Sequence, residues 1–346
     1  MTDILIRSDE DRLLHGMALR LFGDAQTADA EVAEAGLLAL PFAESLGGLH
    51  ADDSEDRSAL AVTFAAMGEA DGSDHRLLQA VLGGTMAGTA PWPGREALVG
   101  AIIAGDEAVA AALHEPGART DLDRCATRAE RTASGWRIDG VKTLVIGAAT
   151  ATRLVLLART GQDGADDGNG LSLFLAGPDT PGIVRRDYAL RDGTPASDLT
   201  FTGVELGEEA LLARGGEAMA ILDAGLSLLR LCLAAEASGR MRALLARCAA
   251  YTAERRQFGQ PIGSFQVIQH RLADMAVAAD QAEALVAAVA AAAGDRAAVV
   301  RAHRAVAELG MTAAKQAIQL HGGAGMTEDL PLGRTLRRMM TIALLL

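Results

Sequence analysis

The sequence predicts a multi-domain α+β fold in which a helical N-terminal domain, an antiparallel β domain and a C-terminal four-helix bundle follow one another. Apolar residues recur with a period near 3.6 through roughly the first hundred residues, alternate through the next hundred, and then return to the helical period. The 346 residues are 50% hydrophobic and 22% charged, as in soluble globular proteins of two or three domains. We place the domain boundaries at 1–106, 107–213 and 214–346.

Capping residues, prolines and turns predict four helices in the N-terminal domain. They run from Ser8, from Ala28 to Leu40, from Ser54 to Asp71, and from Pro93 to Ile103. The first is the most clearly marked, because Ser8 is a favourable N-cap and the three residues after it are acidic, as the helix dipole favours.

Alternating hydrophobicity predicts a compact antiparallel β domain in the middle of the chain. Ser134-Gly135 predicts a hairpin turn. Three further strand-like segments follow, namely RLVLLART, LSLFLAG and SDLTFTGVEL.

Glycines interrupt the helical pattern of the C-terminal domain at Gly259–Gly263, Gly294-Asp295 and Gly322–Gly325. The intervals predict helices of ~25–40 residues, which are long enough for an antiparallel bundle. Alanine-rich faces such as 282–293 allow close helix approach.

Composition argues against several classes of function. The net charge of −13 and the 3% aromatic content disfavour nucleic acid or an anionic membrane surface as the main partner. The three cysteines, Cys125, Cys232 and Cys248, are too scattered for a disulfide framework or a zinc site. The apolar pattern predicts neither a signal peptide nor a membrane span, so we expect a cytoplasmic protein.

The segment AERRQFGQPIGSFQVIQHRLADM, residues 253–275, carries the first candidate site. Arg255, Arg256 and Gln257 end a helix beside a glycine turn. Guanidinium and amide groups so placed bind phosphate, and Phe258 offers a flat apolar surface. The alternative is a helix C-terminus with cations that interact favourably with the helix dipole.

The segment QLHGGAGMTEDLPLGRTLRRMM, residues 319–340, carries the second. Gly322, Gly323 and Gly325 allow a backbone to approach a ligand closely. Gln319 lies at the end of the preceding helix. Taken alone, the pattern is also that of a helix C-cap and turn.

Together, RRQFGQPIGSFQ and QLHGGAGM strongly resemble motifs of the acyl-CoA dehydrogenase family. LPFAESLGGL at 40–49 resembles the family's N-terminal glycine loop, and HEPGARTD at 114–121 resembles the segment that starts its β domain. The helical–β–helical order agrees as well, so the resemblance extends over nearly the whole chain.

The resemblance implies a tetrameric, FAD-dependent enzyme that desaturates an acyl-CoA. In the family a glutamate removes the Cα proton, a hydride moves from Cβ to flavin N5, and FAD crosses a subunit boundary. By motif position, five residues would contact a neighbouring subunit's FAD: Arg255, Gln257, Phe258, Gln319 and Gly323.

Both positions at which the family carries its glutamate hold leucine here. One falls on Leu346 and the other on Leu229, which precedes a matching arginine, Arg230, that is a candidate substrate-binding residue. Leucine cannot accept a proton, and loss of a general base typically costs ~10²–10⁴ in rate. Glu236 lies on the same helix face as Leu229 but ~10 Å along the axis. We weigh it as an alternative base against a solvated or interface glutamate.

The positions expected to meet the flavin ring also depart from the family pattern. Leu144 and Ile146 stand where the family has Trp-x-Thr, and His114 replaces a threonine or serine. Arg119 replaces a glycine, whereas Thr120 conservatively replaces a serine. These changes remove polar groups from the ring's edge, although an apolar pocket still accommodates ring systems.

The motif for a neighbour's FAD is therefore kept, while the base and ring contacts are lost. This asymmetry resembles the non-catalytic subunits of α2β2 acyl-CoA dehydrogenases in actinobacterial steroid side-chain degradation. We predict such a subunit, with a catalytic paralogue as partner, shared FAD and an acyl-CoA substrate. The alternatives are a self-contained flavoenzyme of oxidase or monooxygenase type with an unusual base, and a structural subunit that binds no flavin.

Overall fold

The structure, a computed structural model, describes residues 4–23, 29–118, 121–160, 170–327 and 329–345. It confirms the predicted fold class, because α-helices precede and follow a β-rich middle part. The α-helices of the first part are α1 (Asp9–Gly23), α2 (Asp29–Glu34), α3 (Ser58–Glu69), α4 (His75–Gln79), α5 (Thr85–Thr89) and α6 (Arg95–Ala104).

The middle part consists mainly of strands, and the C-terminal part contains helices and two short strands. The strands are β1 (Val109–Ala112), β2 (Arg128–Thr132), β3 (Gly135–Ile146), β4 (Arg153–Arg159), β5 (Leu171–Ala176), β6 (Ile183–Ala189), β7 (Pro195–Leu206), β8 (Leu211–Arg214), β9 (Arg256–Gln257) and β10 (Gln260–Pro261). The helices are α7 (Gly215–Glu254), α8 (Gln266–Ala290), α9 (Arg296–His321) and α10 (Leu332–Leu344).

The N-terminal helices follow the sequence signals in part. The Ser8 hydroxyl accepts a hydrogen bond from the Asp11 amide at 3.0 Å, which is the predicted cap of α1. The second predicted helix is shorter than expected, because Gly36 adopts a left-handed conformation (φ 73°) just beyond α2. The predicted cap at Ser54 is wrong, since α3 begins only at Ser58.

The chain between α3 and α6 forms a helix that we did not predict. Asp74 caps α4 by accepting a hydrogen bond from the Leu77 amide at 2.6 Å. A π-helical turn, Ala80–Gly84, then joins α4 to α5. A Cβ on Gly83 would lie 2.2 Å from the Val109 carbonyl oxygen, so glycine is required where β1 packs on this turn.

The main sheet has the strand order β6-β7-β3-β2-β4-β5-β8, and β1 pairs with β4. Most neighbours are antiparallel, as predicted, but β1 and β2 run parallel to β4. The β2–β3 turn lies one residue before the predicted Ser134-Gly135, because Gly135 already pairs with Thr132. The core includes Trp136, whose ring packs at 66° to the Phe174 ring with the ring centroids 5.3 Å apart.

Of the long C-terminal helices, α9 ends directly before the predicted break at Gly322, whereas α7 and α8 end a few residues before theirs. Of the described helices, only α7 is long and apolar enough to cross a membrane, judged by length and composition alone. Two thirds of its most apolar window (67%) is buried inside the protein, and the core helix of a soluble protein passes the same test.

The chain divides into two compact units. The first contains the described parts of Met1–Thr27, Glu55–Ser73 and Arg230–Leu346, and the second those of Ala28–Ser54 and Asp74–Leu229. The boundaries predicted from the sequence, which give three domains, stay a prediction.

In the first unit, α3 and α7 cross with their backbones in contact. A Cβ on Gly68 would lie 2.0 Å from the Glu236 carbonyl oxygen, and one on Gly239 would lie 1.9 Å from the Ala65 carbonyl oxygen. Each helix therefore needs glycine at this crossing, since any side chain would push the helices apart.

Candidate functional site

The first candidate segment forms a short hairpin at the end of α7. The Arg255 amide donates to the Tyr251 carbonyl at 2.8 Å and so continues the helical pattern. The Arg255 carbonyl in turn accepts from the Ile262 amide at 2.8 Å, which returns the chain after β9 and β10. Within the described residues, the exposed Arg255 guanidinium has no ion-pair or hydrogen-bond partner. The hairpin therefore presents an unpaired cation at its base.

Phe258, at the tip of this hairpin, is in a costly conformation. Its φ is +52°, in the left-handed region, and 91% of the residue is exposed. The Phe265 ring contacts it edge-on, with centroids 6.1 Å apart. A non-glycine residue in this region costs on the order of 1–2 kcal/mol, and an exposed aromatic ring gains no burial energy. Nothing among the described contacts of the chain offsets both costs.

The second candidate segment lies at the end of α9. Gln319 is exposed, whereas His321 is buried at 6% exposure. Gly322 then takes a φ of 60° with ψ −134°, a region that essentially only glycine adopts. Gly323 has an ordinary φ, and a Cβ added to it would meet no atom within 4 Å. Within the described residues, neither backbone strain nor packing requires glycine at position 323. Atoms from outside the chain can therefore approach its backbone closely.

The structure brings the two segments together. The Tyr251 ring stacks on the His321 ring with centroids 4.2 Å apart and 24° between the planes. The Tyr251 hydroxyl also donates to the His321 carbonyl at 3.3 Å. The ends of α7 and α9 therefore adjoin, although some seventy residues separate them in sequence.

The residues at these two helix ends fit part of a dinucleotide. Guanidinium groups bind phosphate oxygens, amides form hydrogen bonds with ribose or base, and aromatic rings cover a base. Arg255, Gln257 and Gln319 are exposed and supply the polar groups, while Phe258 supplies the ring. The donor set therefore suits a diphosphate joined to an aromatic base.

In the second unit, the segment that begins at His114 is fixed by a buried ion pair that sequence reasoning missed. The Glu115 carboxylate accepts from Lys142 Nζ at 2.7 Å, from the Thr127 hydroxyl at 2.6 Å and from the Ala126 amide at 2.6 Å. Lys142 is completely buried. Although desolvation acts to raise it, these bonds lower the pKa of Glu115 to about 2. This cluster fixes the start of the β domain. Its members are distant from one another in sequence, so no local sequence pattern revealed it.

His114 is poorly suited to act as a charged group. Burial lowers its pKa, and the nearby Lys142 ammonium lowers it further. Its carbonyl accepts from the Thr143 amide at 2.8 Å, which ties the segment to β3. His114 therefore takes a structural position at the start of the β domain.

The two positions expected to meet a flavin ring offer no polar side chain. Leu144 has a φ of +57°, and its amide donates to the Tyr188 hydroxyl at 3.2 Å. That hydroxyl donates in turn to Asp198 Oδ1 at 2.9 Å. Ile146 is half-buried. The Leu144 amide therefore already has a hydrogen-bond acceptor within the chain. The side chains of Leu144 and Ile146 are apolar and offer a cofactor no hydrogen-bonding group.

Glu236, which we weighed as an alternative base against a solvated or interface glutamate, is in neither environment, because it is buried within the chain between two arginines. It is fully buried, with Oε1 accepting from Arg240 Nε at 2.9 Å and from Arg338 Nε at 2.7 Å, while Oε2 accepts from Arg338 Nη2 at 2.7 Å. Although desolvation acts to raise it, the two guanidiniums lower its pKa. Because both carboxylate oxygens are occupied by buried guanidinium donors, Glu236 is not placed to take a proton from a substrate.

The remaining positions named for the base give no carboxylate either. Leu229 is buried at 7% exposure, and Arg230 follows it on α7. Leu346, Arg119 and Thr120 lie outside the described residues.

Among the residues that the structure describes, no cluster of three or more His, Cys, Asp or Glu is arranged to hold a metal ion.

Comparison with known families gives two matches. Residues 216–345 match the model "Acyl-CoA dehydrogenase, C-terminal domain", and residues 110–204 match "Acyl-CoA dehydrogenase, middle domain".

Curated relatives agree with these matches. A mitochondrial 2-methylacyl-CoA dehydrogenase of Solanum tuberosum is 33% identical over 68% of the chain, and the match spans only 58% of that relative's length. Benzylmalonyl-CoA dehydrogenase of Aromatoleum aromaticum is 33% identical over 74% of the chain and 67% of its own length.

Solved structures share the fold over almost the whole chain. Butyryl-CoA dehydrogenase from Megasphaera elsdenii superposes with a TM-score of 0.85 at 23% identity, covering 99% of this chain and 94% of its own. A variant of the Tcur3481–Tcur3483 steroid ACAD superposes with a TM-score of 0.81 at 27% identity, covering 97% and 93%.

Proposed function

Because the chain belongs to the acyl-CoA dehydrogenase family, we propose that it completes the FAD site of a catalytic partner subunit and supplies no base of its own. The reaction of the complex is the α,β-dehydrogenation of an acyl-CoA thioester. One observation carries the proposal: within the described residues, nothing explains the exposure of Phe258 and Gly323. Of the described positions considered for the base, Leu229 is apolar and Glu236 is occupied by two arginines.

In this complex, the reaction would divide between two subunits. Bound FAD supplies the hydride acceptor. A base of the partner subunit would take the Cα proton while the Cβ hydride passes to the flavin, which would leave the enoyl thioester and reduced FAD. This chain binds and orients: the Arg255 guanidinium neutralises phosphate charge, and Phe258 covers an adenine face. The exposed amides of Gln257 and Gln319 form hydrogen bonds with the same cofactor beside the open face of Gly323.

The partner we propose is a paralogue that carries the glutamate, in an α2β2 complex. The similarity to a steroid ACAD at 27% identity over 97% of the chain supports a steroid side-chain CoA ester as substrate. A cytoplasmic location belongs to the same proposal.

The test is expression of the full chain alone and together with such a paralogue, followed by measurement of bound flavin and of acyl-CoA oxidation. We expect activity and bound FAD only in the complex. Arg255→Gln in this chain should weaken FAD binding by roughly tenfold, as loss of a charge-assisted contact typically does.

Arg301→Gln is the matched control, because Arg301 is an exposed arginine on α9 that lies roughly 27 Å along the helix from Gln319. It should leave FAD affinity unchanged. Full activity and one FAD per chain in the lone protein would overturn the proposal in favour of a self-contained flavoenzyme. A flavin-free active complex would favour the purely structural subunit.

A further inference from the structure

We propose that Tyr251 and His321 act as a positioning pair that sets the two FAD-binding turns in register. The inference rests on the proposed function, since it concerns how that half-site is held. It assigns a role to two residues that do not themselves belong to the exposed donor set.

Tyr251 is bonded to both turns at once. Its carbonyl accepts from the Arg255 amide at 2.8 Å, so its backbone fixes the base of the hairpin. Its hydroxyl donates to the His321 carbonyl at 3.3 Å, so its side chain holds the peptide that enters Gly322. A shift of Tyr251 would therefore change the distance between the guanidinium of Arg255 and the backbone of Gly323.

His321 is itself held in one orientation. Its Nδ1 lies 2.8 Å from the Ala317 carbonyl oxygen, and because a carbonyl only accepts, Nδ1 carries the hydrogen. This bond fixes the ring plane against which Tyr251 stacks. Gly322 follows in a conformation that only glycine adopts readily, so the orientation of the His321 peptide determines where Gly323 lies.

The pair is not needed to anchor α7. One turn earlier, Arg247 pairs with Asp71 at 3.2 Å, and Arg240 pairs with the same carboxylate at 2.6 Å. These ion pairs already fasten α7 within the first unit. What the Tyr251 contacts add is local: they determine the geometry of two exposed turns, and a site loosened by ~1 Å loses much of its affinity.

The experiment uses the full chain in complex with its catalytic partner and two variants, Tyr251→Phe and Tyr251→Leu. Tyr251→Phe keeps the ring stack and loses only the hydroxyl bond, so FAD dissociation constants should rise by about 3- to 10-fold. Tyr251→Leu loses both contacts and should weaken binding further. In the lone chain, both variants should speed hydrogen exchange of peptide 322–327 while the melting temperature stays within ~2 °C of wild type.

Tyr188→Phe is the matched control, because it removes the hydroxyl of the chain's other tyrosine, in the second unit. It should alter neither FAD affinity nor the exchange of peptide 322–327. If Tyr251→Leu does not fold, Tyr251→Phe decides the question alone.

The inference is wrong if Tyr251→Phe binds FAD as tightly as wild type while Arg255→Gln binds it more weakly. If Arg255→Gln also binds FAD normally, the proposed function itself fails, and the two failures are thereby distinguished.

Discussion

Leu144 and Phe258 adopt nearly the same unusual backbone conformation, with φ values of 57° and 52°, yet their surroundings are opposite. Leu144 is half-buried in the β domain, and Tyr188 accepts its amide hydrogen. Phe258 projects from a hairpin with 91% of its surface exposed. The first strain is compensated within the chain, whereas the described residues provide no compensation for the second.

The contrast between Leu144 and Phe258 distinguishes backbone strain that the fold itself stabilises from backbone strain that points to binding. Backbone strain persists only where surrounding interactions determine it, and those interactions are present around Leu144. Around Phe258 the described residues supply no such interactions, which is the pattern expected if the proposed cofactor site of a partner subunit covers this ring. The third described non-glycine residue with positive φ, Asp71, resembles Leu144, because Arg240, Arg247 and Thr335 hold its carboxylate.

The largest effect should come from breaking the charges that are satisfied internally. Glu236→Leu leaves Arg240 and Arg338 buried without their shared carboxylate, so the free energy of unfolding should fall by about 3–5 kcal/mol. Urea unfolding measures the loss. Any variant that remains folded should retain the chemistry of the complex, whereas a true base would show a ~10²–10⁴ loss of rate.

A similarly large effect is expected at the Glu115–Lys142 pair. The pKa of Glu115 is lowered from 4.5 to about 2, so its ionised form stabilises the fold fully above about pH 4.5. This contribution is lost as the pH falls toward 2. Lys142→Met should destabilise the protein by about 3 kcal/mol at pH 7 and move the acid-unfolding midpoint upward. An unchanged midpoint in an acid titration followed by circular dichroism would contradict the assignment.

Phe258→Gly should separate stability from binding. Glycine adopts the left-handed region freely, so the variant should be within about 1 kcal/mol of wild type or more stable. The complex should nevertheless bind FAD roughly tenfold more weakly, because a ring that covers the adenine is lost. Calorimetry and flavin titration measure the two effects. A stability loss above ~2 kcal/mol would mean that Phe258 packs within its own chain.

Tyr188→Phe should give the smallest effect. It leaves the Leu144 amide without its acceptor, at a cost of about 1 kcal/mol in the free energy of unfolding. FAD affinity of the complex should not change. If affinity falls, the β domain of this chain contributes to cofactor binding, and the contrast between the two regions is weaker than we describe.

Local signals in the sequence predicted much of the fold. Ser8 marked the start of α1, and the glycine breaks marked the ends of the long helices, because both act within one helical turn. The π-helical turn at Ala80–Gly84 escaped prediction, since its glycine is required by contact with Val109 rather than by a local pattern.

The environment of the candidate site could not be predicted in the same way. The partners of Glu236 include Arg338, 102 residues away, and those of Glu115 include Lys142, 27 residues away. Such pairs are invisible to periodicity, so Glu236 looked solvated although it is buried. The FAD contacts of Arg255, Phe258 and Gly323 stay a prediction, which the adjacency of the α7 and α9 ends supports.

The Asp71 carboxylate has a consequence for the order of synthesis. Its partners Arg240 and Thr335 follow it in sequence by 169 and 264 residues. At ~5–20 residues per second, Asp71 leaves the ribosome on the order of 10–50 s before Thr335 does. During that interval the end of α3 lacks its last hydrogen-bond partner, so the first unit completes its charge network only after α10 has been translated.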